Sequence, residues 1–173
     1  MRHTVAFLAL PGVVAGLVPV WIARGNGASL TLAPDAIGRL GQLAGLMFGA
    51  IGLWLFSYSL LHFIQRGRGT LAPWDPPTRL VVSGPYRYVR NPMIAGVIFV
   101  LASEALLLRS GPNMTWAVTV FLLNCVYIPL LEEPPLRQRF GDAYVEYSKH
   151  VRRLVPRVHP WSPGVELASE RDR

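Results

Sequence analysis

The sequence predicts an all-α fold: a polytopic membrane bundle of about four transmembrane helices, followed by a cytosolic C-terminal helical segment. Three observations predict it. The 173 residues are 51% hydrophobic and only 16% charged, with a mean hydropathy of +0.34, where an ordinary soluble domain carries roughly 25% charged residues. The apolar residues gather into four runs, and a span needs about 20 mostly apolar residues to cross the hydrocarbon core. The basic residues behind the net charge of +7 are not spread evenly between those runs.

The first run, 4–22, contains no charge. Pro11 and Pro19 are expected to kink it, which a membrane helix tolerates. A signal peptide is the alternative, because Arg2 precedes the run, but no small-x-small cleavage site follows. The second run, 40–64, is also uncharged. Its Gly41, Gly45, Gly49 and Gly52 recur every three or four residues and put a groove on one face, where a neighbouring helix can approach closely. Trp54 and Tyr58 suit a membrane interface.

The third and fourth runs, 93–108 and 114–131, form a helical hairpin about Ser110-Gly111-Pro112-Asn113, a turn of helix breakers. Glu104 lies near the far end of the third run, where pairing with Arg109 is the expected structural role. Segment 65–92 holds five arginines, and the chain from 132 onward holds eight basic residues. Only Arg24, Arg39 and Arg109 lie on the other side. Basic loops stay cytoplasmic, so four spans place both termini in the cytoplasm. The expected location is a bacterial inner membrane. A single domain over 1–157 and a polar, disordered tail over 158–173 complete the layout. One cysteine, Cys125, permits no internal disulfide, and the four histidines lack metal-ligand spacing. Neither a metal nor a nucleic-acid partner is expected.

Two segments on the basic side are unlike simple connectors. Residues 80–92 run into the third helix, with Pro92 suited to a first helical position and Asn91 to an N-cap. The exposed backbone N–H groups at that end could bind an anionic or polar ligand, or the segment could simply grip lipid phosphates. Glu132-Glu133 stands at the end of the fourth run, where a helix C-terminus disfavours negative charge. Arg87, Arg90, Arg137 or Arg139 could compensate, or a ligand bearing hydroxyls or an ammonium group. Gly141 can close one short helix and Asp142 open the next. Tyr144, Tyr147 and Val151 then share a face, which could cover a site or lie on the bilayer.

Gly84-Pro85-Tyr86-Arg87-Tyr88-Val89-Arg90-Asn91-Pro92 with Gly96 resembles the GxYxxxRHPxYxG signature of the isoprenylcysteine carboxyl methyltransferase and phospholipid methyltransferase superfamily. Glu132-Glu133, then Phe140-Gly141-Asp142-Ala143-Tyr144-Val145-Glu146-Tyr147, Val151 and Val155-Pro156, resembles that superfamily's tail motif. The resemblance covers residues 78–157 and implies an integral membrane methyltransferase that uses S-adenosylmethionine. It implies cofactor contacts from Thr78, Arg79, Leu80, Val81, Tyr86, Arg90, Asn91, Pro92, Gly96, Glu132 and Glu133. Substrate or lipid contacts would fall to Arg137, Arg139, Tyr144 and Tyr147; no catalytic residue is assigned. Membrane lipids are the expected surroundings. The implied acceptor is lipophilic: an isoprenylcysteine-type carboxylate, a phospholipid amine or a small hydrophobic thiol. Asn91 and Ile94 replace the signature histidine and second tyrosine. Ile128 replaces an arginine linked to substrate in the eukaryotic carboxyl methyltransferases. A nicotinamide-dependent reductase of the sterol-reductase branch and a non-catalytic protein retaining the fold are the alternatives.

Overall fold

The computed structural model describes residues 11–67 and 79–162. The described residues contain helices and no strand: α1 (Val18–Gly25), α2 (Ala36–Gly67), α3 (Pro92–Leu107), α4 (Gly111–Tyr127) and α5 (Glu133–His150). A 3-10 turn, Gly84–Arg87, precedes α3. Two helices are long and apolar enough to cross a membrane: Ala36–Arg66, and the continuous run Gly111–His150. Val13–Gly25 and Pro92–Leu107 are apolar but shorter. At 1.5 Å per residue, the 32-residue α2 is about 48 Å long, which exceeds a hydrocarbon core of roughly 30 Å.

Proline explains the form of the first run. Val13–Leu17 is a π-helical turn leading into α1, where Val18 N–H donates to the Val13 carbonyl. Pro19 has no N–H, so it cannot continue the π-helical pattern to the Val14 carbonyl one step on. Trp116 of α4 donates its indole N–H to that carbonyl at 3.0 Å. Asn113 adds a second tie, from its amide to the Pro19 carbonyl at 3.1 Å. The expected irregularity near Pro19 thus becomes the docking point of α1 on the hairpin. Residues 4–10 of this predicted run lie outside the described residues.

The glycine groove of α2 receives α3. A Cβ on Gly52 would lie 2.8 Å from the Gly96 carbonyl oxygen, and one on Gly96 would lie 2.8 Å from the Gly52 carbonyl oxygen. Gly45 and Gly49 press against Ser103, and Gly45 also meets Leu106 and Leu107. A Cβ on Gly41 would meet nothing within 4 Å, so the close-packed part of the groove runs from Gly45 onward. Phe48 and Phe99 pack edge to face beside it, 5.4 Å apart.

Two expectations in the hairpin need correction. The breakers at 110–113 do not merely separate helices: Ser110 caps α4, its Oγ accepting from Asn113 N–H at 3.3 Å, so the helix starts at Gly111. Among the described residues Glu104 forms no ion pair with Arg109. Its Oε2 is buried without a partner. Arg109 turns the chain at φ 51° and lies close enough to act on Asp35.

Candidate functional site

The site forms where the segment ahead of α3 meets α5 and the chain beyond it. Gly84 enters the 3-10 turn at φ +54°, with its Cα face against the His62 ring of α2. A Cβ there would sit 2.7 Å from the imidazole, so the close approach requires glycine. The turn buries Pro85 and Tyr86. Tyr86 packs with Phe63 and Val81.

On the opposite wall, Tyr144, Tyr147 and Val151 are 3%, 3% and 0% exposed and pack on Val82. The face predicted from their spacing exists, but it turns inward. Gly141 takes φ 50° and ψ −132°, outside helical values, and breaks α5 into two pieces as its position before Asp142 foretells. The expected helix end at Glu132 is not present. Ile128–Glu132 is a π-helical turn that passes into α5, and Glu133 opens the next helix.

Glu132 and Glu133 lie just beyond the apolar stretch that ends at Leu131, and they have different surroundings. Glu133 is 3% exposed and enclosed by arginines. Its Oε1 accepts from Arg153 Nε at 2.5 Å, its Oε2 from the second Arg153 nitrogen at 3.1 Å, and Arg90 approaches Oε1 at 3.1 Å. Arg137 stands farther off, at 3.8 Å. Burial raises the Glu133 pKa. The Arg153 hydrogen bond and the charges of Arg90, Arg153 and Arg137 outweigh that effect, so the carboxyl sits below its ordinary value. Glu132 is half-buried, and no described arginine comes within ion-pair distance of it. Burial and then neighbouring Glu133 raise its pKa, partly offset by Arg90.

Three buried polar atoms of the 83–90 segment have no partner among the described residues: Ser83 Oγ, Tyr86 Oη and Arg90 Nε. Buried polar groups are nearly always paired, so three in eight residues mark a place built for something else. Burial first, and the Glu132 charge second, push the Tyr86 hydroxyl well above its ordinary value. It therefore stays protonated, a donor within the field of a carboxylate. Arg90 is fixed through its terminal nitrogen, shared between Glu133 and the Tyr144 hydroxyl at 3.3 Å.

The other sequence-predicted residues fall as follows. Val81 is buried, while Arg79 and Leu80 are half-buried; Thr78 lies outside the described residues. Pro92 starts α3 as expected, but the Asn91 side chain makes no capping hydrogen bond. Gly96 lies in the seam with α2. Arg137 and Arg139 are exposed, and Ile128 is 1% exposed. Arg87 turns to the chain end, donating to the Trp161 carbonyl at 2.8 Å and to Ser162 Oγ.

Sequence reading missed Arg153 and the irregular strap that carries it. Arg90 and Asn91 N–H groups donate to the Arg152 and Arg153 carbonyls at 2.8 and 3.1 Å. Arg157 and Trp161 N–H groups donate to the Tyr88 and Arg87 carbonyls at 2.9 and 3.0 Å. Trp161 stacks on His150 and packs on Tyr147. Residues 157–162 of the predicted tail region thus pack back on the Arg87–Tyr88 segment and α5; residues 163–173 lie outside the described residues.

The phospholipid methyltransferase family model matches residues 40–143, which run from α2 into α5. A protein-S-isoprenylcysteine O-methyltransferase B from Arabidopsis thaliana is 34% identical over 82 residues, 47% of this chain and 41% of that protein. No solved structure matches. Because the family match covers more than half of the chain, including the Gly84–Pro92 segment and the glutamate pair, the chain belongs to the phospholipid methyltransferase family.

Proposed function

We propose that the protein is an integral membrane methyltransferase that binds S-adenosylmethionine between the Ser83–Asn91 segment and Glu132 and methylates a lipophilic acceptor. The observation that carries this reading is the set of unpartnered buried atoms, Tyr86 Oη and Arg90 Nε, beside a half-buried carboxylate that has no arginine within ion-pair distance among the described residues. That donor set fits the cofactor. Glu132 can accept from ribose hydroxyls or an ammonium group, and Tyr86 and Arg90 can donate to a carboxylate or a ribose oxygen. When bound, S-adenosylmethionine supplies an electrophilic methyl group on a sulfonium centre. The protein aligns donor and acceptor and keeps water away through the buried Tyr144, Tyr147 and Val151 wall.

Four spans, with α1 and α3 completing the two longer helices, and cytoplasmic termini belong to the same reading, supported by the basic residues flanking the site. The acceptor arrives through the bilayer. It is an isoprenylcysteine-type carboxylate, a phospholipid amine or a small hydrophobic thiol. The buried Ile128 offers no charge to a carboxylate.

Calorimetric titration of the detergent-purified protein tests the reading. S-adenosylmethionine and S-adenosylhomocysteine are expected to bind, and Glu132→Gln to weaken both. Binding of NADPH alone would move the protein to the reductase alternative. Absence of binding to all three would make it a non-catalytic member.

A further inference from the structure

Arg153 belongs to no part of the 40–143 family match, yet it closes a ring through the site. Its carbonyl accepts from Asn91 N–H at 3.1 Å, and the adjoining Arg152 carbonyl accepts from Arg90 N–H at 2.8 Å. Its guanidinium takes both oxygens of Glu133, at 2.5 and 3.1 Å. Glu133 in turn holds Arg90 at 3.1 Å, which returns the ring to its start. The Glu133 and Arg90 side chains are 4% and 9% exposed, while that of Arg153 is 45% exposed. The buried pair is thus gripped from the solvent side by one residue of the strap.

We propose that Arg153 is a positioning residue: by clamping Glu133 and accepting from Asn91 along one strap, it sets the placement of Arg90 and the Tyr86–Asn91 segment that the cofactor meets. Glu133 then serves the clamp, and Glu132 alone of the two acids faces the ligand. Both oxygens of Glu133 are already taken by arginines, which leaves it little capacity for hydroxyl or ammonium donors. The bidentate grip demands arginine, because lysine offers a single point charge without the planar fork. Its bearing on the cofactor rests on the methyltransferase reading above.

The test uses the full chain in detergent, with Arg153→Ala and Arg153→Lys. Hydrogen exchange without ligand reads the clamp directly: the Arg90 and Asn91 amides are expected to exchange about tenfold faster in Arg153→Ala, with amides of the Gly45–Gly52 seam unchanged. Calorimetry with S-adenosylhomocysteine is expected to show about tenfold weaker binding, partly restored in Arg153→Lys. A lower unfolding temperature with both amides and the affinity within about twofold of wild type would mean a merely structural arginine and overturn the proposal. Faster exchange in a protein whose wild type binds no S-adenosylhomocysteine would support the clamp and overturn the methyltransferase reading instead. If Arg153→Ala does not fold, Arg153→Lys alone decides, on whether the two amides exchange faster than in wild type.

Discussion

The Tyr147 hydroxyl donates to the Tyr86 backbone carbonyl at 2.6 Å, across 61 residues of sequence. One buried hydrogen bond thus joins the second half of α5 to the turn that opens the site. It also leaves the two tyrosine hydroxyls in opposite conditions, that of Tyr147 satisfied and that of Tyr86 without a partner.

Tyr147→Phe is expected to destabilise the protein by about 1–3 kcal/mol, because a buried carbonyl loses its donor while packing is kept. Thermal unfolding in detergent checks this. An unchanged midpoint would mean that water reaches the Tyr86 carbonyl.

Tyr86→Phe is expected to act in the opposite sense on stability and against binding. Removing an unsatisfied buried hydroxyl leaves the ligand-free protein as stable as wild type or more so, by up to about 1–3 kcal/mol. S-adenosylhomocysteine affinity falls about tenfold in the same variant. A higher midpoint with full affinity would remove Tyr86 from the cofactor contacts.

The helix seam predicts a contrast between glycines. Gly96→Ala puts a methyl group 2.8 Å from the Gly52 carbonyl oxygen and 2.9 Å from Phe56 N. Overpacking of that kind costs about 1–3 kcal/mol. Gly41→Ala meets nothing within 4 Å, and alanine favours a helix over glycine by up to about 1 kcal/mol. Unfolding curves should place Gly41→Ala at or above wild type and Gly96→Ala below it.

At the other end of the bundle, Asp35 caps α2 by accepting from Gly38 N–H at 2.7 Å. That hydrogen bond, then one from its own backbone N–H, holds its pKa below the ordinary 3.8 against a small burial effect, and Arg109 adds to the lowering. A carboxyl lowered on folding contributes stability above its unfolded value and loses it as pH falls through the folded value. The difference in unfolding midpoint between wild type and Asp35→Asn should therefore shrink as pH drops below 3.8. Glu133 titrates in the same direction in both proteins, so it cancels from the difference. A gap independent of pH would show that the charge of Asp35 does not act.

Much of this was legible in the sequence because it depends on short spacing. Glycines every three or four residues in 45–52 specify one face and a close neighbour, and α3 occupies it. Gly141-Asp142 marks a helix break by local conformational preference alone. The step of three and four from Tyr144 to Val151 names a common face, although spacing cannot say whether that face meets lipid or protein. What was not legible depends on distant partners. Arg153 reads as one more basic residue in a basic tail, since only the folded chain brings it to Glu133 twenty residues earlier. Glu132 and Glu133 look equivalent as neighbours; the π-helical turn just before Glu133 and the arrival of three arginines separate them. Trp161 looked like tail because its carbonyl and ring partners, Arg87, Tyr147 and His150, lie upstream.

The strap follows every described helix in chain order, and four backbone hydrogen bonds tie it to residues 87–91. During synthesis the helices leave the ribosome before Arg152–Trp161 does. Until that stretch emerges, the Arg90 and Asn91 amides lack their acceptors and Glu133 lacks its bidentate partner. A chain ending after α5 would therefore keep its helices but lack the contacts that fix the Arg87–Asn91 segment and enclose Glu133.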